Sequence, residues 1–218
     1  MSQDLNLKGL YTIDGKSGSG KSTAANGLAK RLKIPYLSSG RLYRIAAKKL
    51  IENKPRNSIA FLNKYFANLN YNKLKKINLH TQEISNFSAI IARQKRIRLT
   101  IRKYQTTWAS NHKNHCIIEG RDSHQIFKNA RIKFYIKCNF NIAVRRRYLQ
   151  LRKKNSEITL QQVKTQQKTR DYSDTTRKHN RLILAPDHVV IRSDINSRKR
   201  MIDLMIKEIK KSKNKKWN

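Results

Sequence analysis

The stretch Gly15-Lys-Ser-Gly-Ser-Gly20-Lys21-Ser22 decides the fold class of this 218-residue chain, because it matches G-x-x-x-x-G-K-[ST] at every specified position. A short, mostly apolar run at Gly9–Asp14 precedes it and predicts a buried parallel strand. Apolar residues at helical spacing follow it from Lys21 to Leu32. Strand, glycine-rich turn and helix in this order predict a P-loop that binds a nucleoside triphosphate.

Each part of this motif has a chemical reason. The glycines let the backbone turn tightly and direct its N–H groups at phosphate oxygens, and the helix N-terminus adds its positive end. Lys21 places a cation beside the β- and γ-phosphates, and the hydroxyl of Ser22 can bind Mg²⁺. The predicted ATP-binding residues are therefore Gly15, Lys16, Ser17, Gly18, Ser19, Gly20, Lys21, Ser22 and Thr23.

The rest of the chain alternates predicted strands with predicted helices, which is typical of a parallel sheet covered by helices on both faces. Further strands are predicted at 34–37, 115–118, 131–138 and 188–192, and late helices are predicted to begin near residue 156 and near residue 194. Residues 54–114 have a helical pattern with a polar break near 68–78, and Ser39 is the predicted N-cap of a helix that ends near Asn53. We predict a three-layer α/β/α fold with a five-stranded parallel sheet, a helical insert and a mobile lid.

The composition is strongly basic. Fifty Lys and Arg against 13 Asp and Glu give a formal charge of +37, which attracts nucleotides and nucleic acid alike. No RRM, KH, helix-turn-helix or zinc-finger pattern accompanies the charge, so a lysine-rich enzyme surface is favoured over a nucleic-acid-binding protein. Cys116 and Cys138 lie in strand-like segments and indicate free thiols, and no apolar run approaches the roughly 20 residues of a membrane span. We expect a cytoplasmic monomer without a membrane partner.

Arginines indicate where the acceptor of the phosphoryl group would bind. A phosphate-bearing acceptor requires guanidinium groups, because these bind phosphate oxygens in pairs. Arg121 and Asp122 directly follow a predicted strand, at the carboxyl end where ligands of α/β sheets bind. Arg44, Arg170 and Arg177 lie in segments expected to converge on the same edge.

Beyond the P-loop, the order and spacing of several short motifs resemble those of the bacterial cytidylate kinases, from Leu10 to about Lys207. These motifs are Ile13-Asp-Gly, Ser39-Gly-Arg-Leu-Tyr-Arg44, Thr81-Gln-Glu-Ile84, Arg96-Ile-Arg98 with Gln105, Gly120-Arg-Asp122, Arg146-Arg-Tyr-Leu-Gln-Leu151, and Arg170-Asp171 through Asp174 and Arg177. The resemblance implies a kinase that transfers the γ-phosphate of ATP to CMP, and also to dCMP, with Mg²⁺.

The resemblance also implies a role for each matching position. The CMP phosphate would be held by Ser39, Arg44, Arg121 and Arg177. The cytosine would be read by Arg98 and Asp122, the sugar would be bound by Arg170 and Asp174, and Tyr43 would shape the acceptor pocket. The implied catalytic set is Lys21, Arg146, Arg147, Arg170 and Arg177.

On this basis we expect a single P-loop kinase domain over residues 1–218. Its core would comprise 9–39, 111–154 and 185–210, and the segment that binds the nucleoside monophosphate would be 40–110. The lid would be 155–184, and a basic tail would occupy 211–218.

The chain departs from the family at several positions. Lys16 replaces a proline, Ala89 replaces a serine that lies nine positions before the base-reading arginine, and Ser173 and Thr175 replace two lid arginines. The glycine-rich run after Asp122 is replaced by the shorter Ser-His-Gln-Ile-Phe-Lys at 123–128, and only 71–79 remains of a hairpin insert. Glu119 takes the place of an aspartate, so a role in organising Mg²⁺ and a purely structural role both stay open.

Two kinds of alternative stay open. One is another P-loop kinase, acting on UMP, AMP or shikimate. The other is a basic nucleic-acid-binding protein with a vestigial P-loop, which only the +37 charge supports. His112 and His115 lie three residues apart, but no third ligand accompanies them, so they are interpreted as surface or strand-edge residues rather than a metal site.

Overall fold

The computed structural model of the protein describes residues 7–77, 79, 81–153 and 156–212, the side chains of Lys75 and Lys76 excepted. Within these ranges the strands are β1 Leu10–Asp14, β2 Tyr36–Ser38, β3 Cys116–Gly120, β4 Ile132–Lys137 and β5 His188–Arg192. The helices are α1 Lys21–Leu32, α2 Ser39–Asn53, α3 Ser58–Ala67, α4 Gln82–Ile91, α5 Lys95–Asn111, α6 Ser123–Ile126, α7 Phe140–Arg152, α8 Leu160–Thr176 and α9 Arg198–Lys211, with a 3₁₀ helix at Tyr71–Lys76. Most of the predicted tail, residues 213–218, lies outside the described residues.

The five strands form one sheet in the order β2-β3-β1-β4-β5. β1 pairs in parallel with β3 on one side and with β4 on the other, and β4 pairs in parallel with β5. The predicted five-stranded parallel sheet is therefore confirmed. The chain turns to opposite sides of β1, which makes its carboxyl end the switch point where α/β sheets bind ligands. Asp14, the last residue of β1, lies there beside Gly120 of β3 and Tyr135 of β4.

The core lies between the sheet and the helices α1 and α9. Tyr11 and Ile13 of β1 are fully buried in one cluster with Leu28 of α1, Phe134 of β4 and Met205 of α9. Alternate residues of β1 point to opposite faces, so Thr12 and Asp14, which are also fully buried, lie on the other face of the sheet. Burying apolar side chains on one face fixes the register of β1 and thereby the position of the loop that follows it.

The chain divides into two compact units, residues 1–37 with 114–218, and residues 38–113. The first unit holds β1, β3, β4 and β5 with α1 and α6–α9. In the second unit α2 packs against α4 and α5, and α3 packs against α5. None of the helices in the described ranges is long and apolar enough to cross a bilayer.

Several predicted boundaries are wrong, for identifiable local reasons. α8 begins at Leu160 rather than near residue 156, because Thr159 and Gln162 form a capping box. α9 begins at Arg198 rather than near residue 194, because the side chain of Ser197 accepts the N–H of Arg200. β3 runs on to Gly120, because its last two residues pair with the end of β1.

The predicted N-cap role of Ser39 is also wrong. Ser39 is the first residue of α2, and Ser38 occupies the N-cap position without a side-chain cap. The buried hydroxyl of Ser39 instead accepts a hydrogen bond from Nε2 of Gln105, on α5, over 2.5 Å. This bond satisfies a polar group that burial would otherwise penalise.

Candidate functional site

The loop between β1 and α1 requires glycine at three positions, Gly15, Gly18 and Gly20. Gly18 and Gly20 have φ angles of 67° and 89°, in the left-handed region that disfavours side chains. A Cβ atom at Gly15 would lie 2.6 Å from the carbonyl oxygen of Ile136, and one at Gly18 would lie 2.7 Å from that of Ala143. Backbone packing on β4 and α7 therefore holds this loop tightly curved.

Lys21 is a buried cation at the start of α1. Its Nζ donates to the carbonyl oxygen of Lys16 over 2.9 Å and lies 4.0 Å from Oε1 of Glu119. Burial, together with repulsion from Arg121 and Arg170 and against the attraction of Glu119, lowers the pKa of Lys21 to about 7. A negatively charged ligand beside Nζ would restore the charged form.

Two side chains near Lys21 offer oxygen atoms that could bind a magnesium ion. Ser22 lies exposed in the first turn of α1, as the motif predicts. Oε2 of Glu119 is buried and accepts no hydrogen bond from the part of the chain that the structure describes. Hydroxyl and carboxylate oxygens are the ligands that Mg²⁺ prefers, so these residues fit the ion.

Helix α8 contacts the glycine-rich loop directly. The backbone N–H of Ser17 donates to Oδ1 of Asp171 over 2.9 Å, and Nε2 of Gln167 donates to the carbonyl oxygen of Ser17 over 3.0 Å. From the segment after β5, Oγ of Ser193 donates to the carbonyl oxygen of Ser19 over 2.6 Å. Asp171 was quoted above only as part of a motif, and Gln167 and Ser193 had no distinguishing pattern in the sequence.

Four of the predicted acceptor residues form one charged cluster in the first unit. Nε of Arg121 donates to Oδ2 of Asp174 over 2.8 Å. Arg177 lies 3.4 Å from Oδ1 of the same aspartate and 3.6 Å from Oδ1 of Asp122. Burial alone would raise the pKa of Asp174, but these arginines and Arg170 hold it below its ordinary value.

Two further arginines of the predicted site, Arg147 and Arg170, add positive charge in the first unit. Burial lowers the pKa of Arg170 to about 10, with repulsion from Arg121 and Arg147 assisting and Asp174 opposing. Burial also lowers the pKa of Arg147. Crowded, partly desolvated guanidinium groups favour the binding of an anion.

Arg146 is held against the segment after β5. Its Nη1 and Nη2 donate to the hydroxyl and the carbonyl oxygen of Ser193, over 3.0 and 2.7 Å. Because Ser193 also bonds the glycine-rich loop, Arg146 is connected to that loop through one residue. The structure therefore places the predicted catalytic residue Arg146 next to the predicted triphosphate site.

The other predicted acceptor residues lie in the second unit. Nη1 of Arg98 donates to the carbonyl oxygen of Ala92 over 3.0 Å, and its guanidinium carbon lies 5.9 Å from the ring centroid of Tyr43. This is the range of a cation–π contact, so the structure brings these two residues together. Arg44 is half-buried on the same helix as Ser39 and Tyr43.

The position that departs from the family also lies in this unit. Ala89 is half-buried on α4, and the hydroxyl of the adjacent Ser88 is buried. That hydroxyl donates to the carbonyl oxygen of Ser85 over 2.8 Å. The hydroxyl of Ser88 is thus engaged within its own helix.

Comparison with known proteins agrees with this geometry. The family model described as cytidylate kinase matches residues 11–211. A cytidylate kinase of Fusobacterium nucleatum subsp. nucleatum is 30% identical, with 94% of this chain and 98% of that protein covered. A cytidylate kinase of Fervidobacterium nodosum is 32% identical, with 82% and 86% covered, and one of Mycoplasmoides gallisepticum is 31% identical, with 94% and 95% covered.

A solved structure supports the fold independently. The protein TT1252 from Thermus thermophilus has a TM-score of 0.50 and 16% identity, with 94% of this chain and 97% of that chain covered. At this identity the likeness concerns the fold alone.

Proposed function

The chain belongs to the cytidylate kinase family, and from this premise we propose that it transfers the γ-phosphate of ATP to CMP and dCMP, giving ADP with CDP or dCDP. One observation carries the proposal. The buried Lys21, next to the glycine-rich loop, is close enough to the cluster of Arg121, Asp174 and Arg177 to feel its charges, which supports binding of a triphosphate and of a second phosphate in one unit. Two phosphate-bearing substrates require this combination.

On the donor side, we assign the triphosphate to residues 15–23. Lys21 would sit beside the β- and γ-phosphates, where its proton is restored by their negative charge. Ser22 and Glu119 would hold Mg²⁺, and the bound ion neutralises charge on the β- and γ-phosphate oxygens. Arg146, Arg147 and Arg170 would stabilise the charge that spreads over the transferring phosphoryl group.

On the acceptor side, we assign the CMP phosphate to Ser39, Arg44, Arg121 and Arg177, the cytosine to Arg98 and Asp122, the sugar to Arg170 and Asp174, and the pocket wall to Tyr43. The ion pair with Asp174 orients the guanidinium of Arg121 for a phosphate oxygen. That oxygen is already ionised, so the transfer needs positioning and cations rather than a general base.

We also propose that residues 155–184 act as a lid, because α8 within them donates to and accepts from the backbone of Ser17. Closure over both nucleotides would exclude water, which would otherwise compete with CMP as the acceptor. A cytoplasmic monomer is proposed as well, and the two free cysteines suit a reducing compartment.

Product analysis tests the proposal. Incubation with ATP, Mg²⁺ and CMP, followed by ³¹P NMR, should show CDP and ADP appearing in equal amounts. Lys21→Met should remove both products while the circular dichroism spectrum stays that of the parent. ADP formed without CDP would mean that water is the acceptor, which contradicts the proposed function.

A further inference from the structure

The second unit contains a cleft that no step of the proposed reaction uses. It lies beside the C-terminal half of α5 and is lined by residues 67–72 together with Tyr104, Trp108 and His112. Its volume of about 360 Å³ is within the range of about 300–1,000 Å³ that ligand sites occupy. None of the residues assigned to the acceptor lines it. The cleft is therefore distinct from the site described above.

Aromatic rings form one wall of the cleft. Tyr104, Trp108 and His112 follow one another at intervals of four residues along α5 and its C-cap, so they lie on one face of the helix. The ring centroids of Trp108 and His112 are 4.1 Å apart, and Nδ1 of His112 donates to the carbonyl oxygen of Trp108 over 2.8 Å. Tyr71 meets Trp108 edge to face, with centroids 6.1 Å apart. The rings of Trp108 and His112 are half-buried, so a fixed aromatic surface remains open to a ligand.

The segment 67–72 adds amide groups to this aromatic wall. Nδ2 of Asn68 donates to the carbonyl oxygen of Lys64 over 3.1 Å, and Oδ1 of Asn70 accepts the backbone N–H of Asn72 over 3.1 Å. These bonds orient the two amides and leave Oδ1 of Asn68 and Nδ2 of Asn70 for a ligand, as far as the described residues show. Aromatic rings beside a hydrogen-bond acceptor and a donor suit the face and the edge of a nucleobase.

The unit that holds the cleft carries more positive charge than the proposed reaction uses. Residues 38–113 include 17 Lys and Arg against two Asp and Glu, a formal charge of +15. Of these cations the proposed reaction uses only Arg44 and Arg98. Glu52, one of the two acids, is already paired with lysines of its own helix. A surface with this surplus attracts polyanions.

Lysines stand next to the cleft itself. Lys73, Lys103 and Lys113 are the sequence neighbours of residues that line it, and all three are exposed. Exposed ammonium groups bind backbone phosphates regardless of sequence, whereas aromatic rings stack on bases. Cations that flank a stacking surface are the combination found in sites for single-stranded nucleic acid.

We propose that this cleft binds single-stranded nucleic acid, with a base stacked on Trp108 and His112 and the flanking phosphates bound by Lys73, Lys103 and Lys113. The ligand must be single-stranded, because the bases of a duplex are stacked on one another and cannot stack on a side chain. A strand is favoured over a free nucleotide, since the positive charge extends over the whole unit. This binding does not depend on the glycine-rich loop, so it is a second function beside the kinase reaction.

Tryptophan fluorescence tests the proposal. The chain has two tryptophans, so Trp217→Phe leaves Trp108 as the reporter. This variant is titrated with a single-stranded RNA of about 12 nucleotides, with the matched duplex and with inorganic polyphosphate, at about 200 mM salt, where binding by charge alone is weak. We expect the single strand to quench Trp108 and to bind at least about tenfold more tightly than the other two ligands. Equal affinity for polyphosphate or for the duplex, or no quenching, would overturn the proposal.

Variants separate the rings from the charges. Trp108→Leu and His112→Ala should each lower affinity for the single strand by about tenfold, measured by the anisotropy of labelled RNA. Lys103→Gln should weaken binding and make its dependence on salt shallower, whereas Lys199→Gln, at an exposed lysine of the first unit, should change affinity less than about twofold. Circular dichroism checks that each variant is folded, and the comparison of the three ligands needs no change in the cleft. Full affinity in both folded ring variants, or equal effects of the two lysine variants, would contradict a site at the cleft.

Discussion

Nε of Arg121 donates to Oδ2 of Asp174 over 2.8 Å, and this half-buried ion pair joins the segment after β3 to helix α8. Arg121, a proposed ligand of the acceptor phosphate, is therefore held by the carboxylate of Asp174 from the proposed lid. The same aspartate contacts Arg177, so a single carboxylate positions two of the proposed phosphate ligands.

Arg121→Ala is expected to damage use of CMP far more than binding of ATP. Loss of a charge-assisted, paired contact to phosphate should lower kcat/KM for CMP by about 100-fold or more. The Kd for ATP should change less than about threefold, since the glycine-rich loop is untouched. Steady-state kinetics and ATP titration measure the two effects. Arg200→Ala, at an exposed arginine, is the control, and unchanged CMP kinetics in Arg121→Ala would refute the acceptor assignment.

Binding of ATP is expected to take up a proton at Lys21. With a pKa of about 7 in the free protein, Lys21 is mostly neutral at about pH 8, and the triphosphate favours its charged form. Uptake should therefore approach one proton at about pH 8 and fall towards zero below about pH 6, where the lysine is already charged. Calorimetry in buffers of different ionisation enthalpy measures it. Equal uptake in Lys21→Arg at pH 8 would assign the proton to another group.

Removing the charge of Asp171 is expected to strengthen ATP binding. Its carboxylate accepts the N–H of Ser17, a backbone donor of the loop that would otherwise face phosphate. Asp171→Asn keeps an oxygen acceptor but removes the repulsion of the triphosphate, so the Kd for ATP should fall about threefold to tenfold. Fluorescence titration with a labelled ATP analogue measures it. An increase in Kd would show that the negative charge supports the loop instead.

Restoring a hydroxyl at position 89 is expected to improve use of CMP. The hydroxyl of Ser88 is engaged with Ser85 and does not substitute for the missing group. Ala89→Ser should lower KM for CMP by about threefold to tenfold, the value of one hydrogen bond, with KM for ATP unchanged. Ser88→Ala serves as the control and should leave KM for CMP unchanged. The opposite pattern would mean that Ser88 provides the hydroxyl.

Salt is expected to separate a kinase from a nucleic-acid-binding protein. Binding of a chain with charge +37 to an oligonucleotide should weaken by orders of magnitude between about 50 and 200 mM salt. Phosphorylation of CMP should change less than about threefold, because its cations are partly buried and weakly screened. Titrations over this range measure both. Kinase activity that falls as steeply as oligonucleotide binding would contradict a pocket enzyme.

Much of the fold was predictable, because its signals are local. The glycines before Lys21 are required by positive φ angles and by contacts with the backbones of β4 and α7. Runs of apolar residues predicted all five strands, since both faces of a parallel sheet are covered. Helix starts were less predictable. The capping box of Thr159 and Gln162 places the start of α8 at Leu160, whereas the sequence pattern predicted it near residue 156.

The contacts of the site were less predictable, because they join distant segments. Asp171 meets Ser17 across 154 positions, and Ser193 meets Ser19 across 174. Nothing in the local sequence marks such pairs, since each depends on the strand order. The replaced run at 123–128 did signal a difference at His124, but its position beside Asp14 emerges only from the packing of α6 on β1.

The most direct test is the rate of ADP formation from Mg²⁺ and ATP with CMP, dCMP, UMP or AMP in turn, against a control without acceptor. We predict turnover on CMP and dCMP, with kcat/KM for UMP and AMP lower by at least about tenfold. Comparable turnover on UMP or AMP would contradict the assignment of Arg98 and Asp122 to cytosine. No turnover on any acceptor, in folded protein that binds ATP, would contradict the kinase itself.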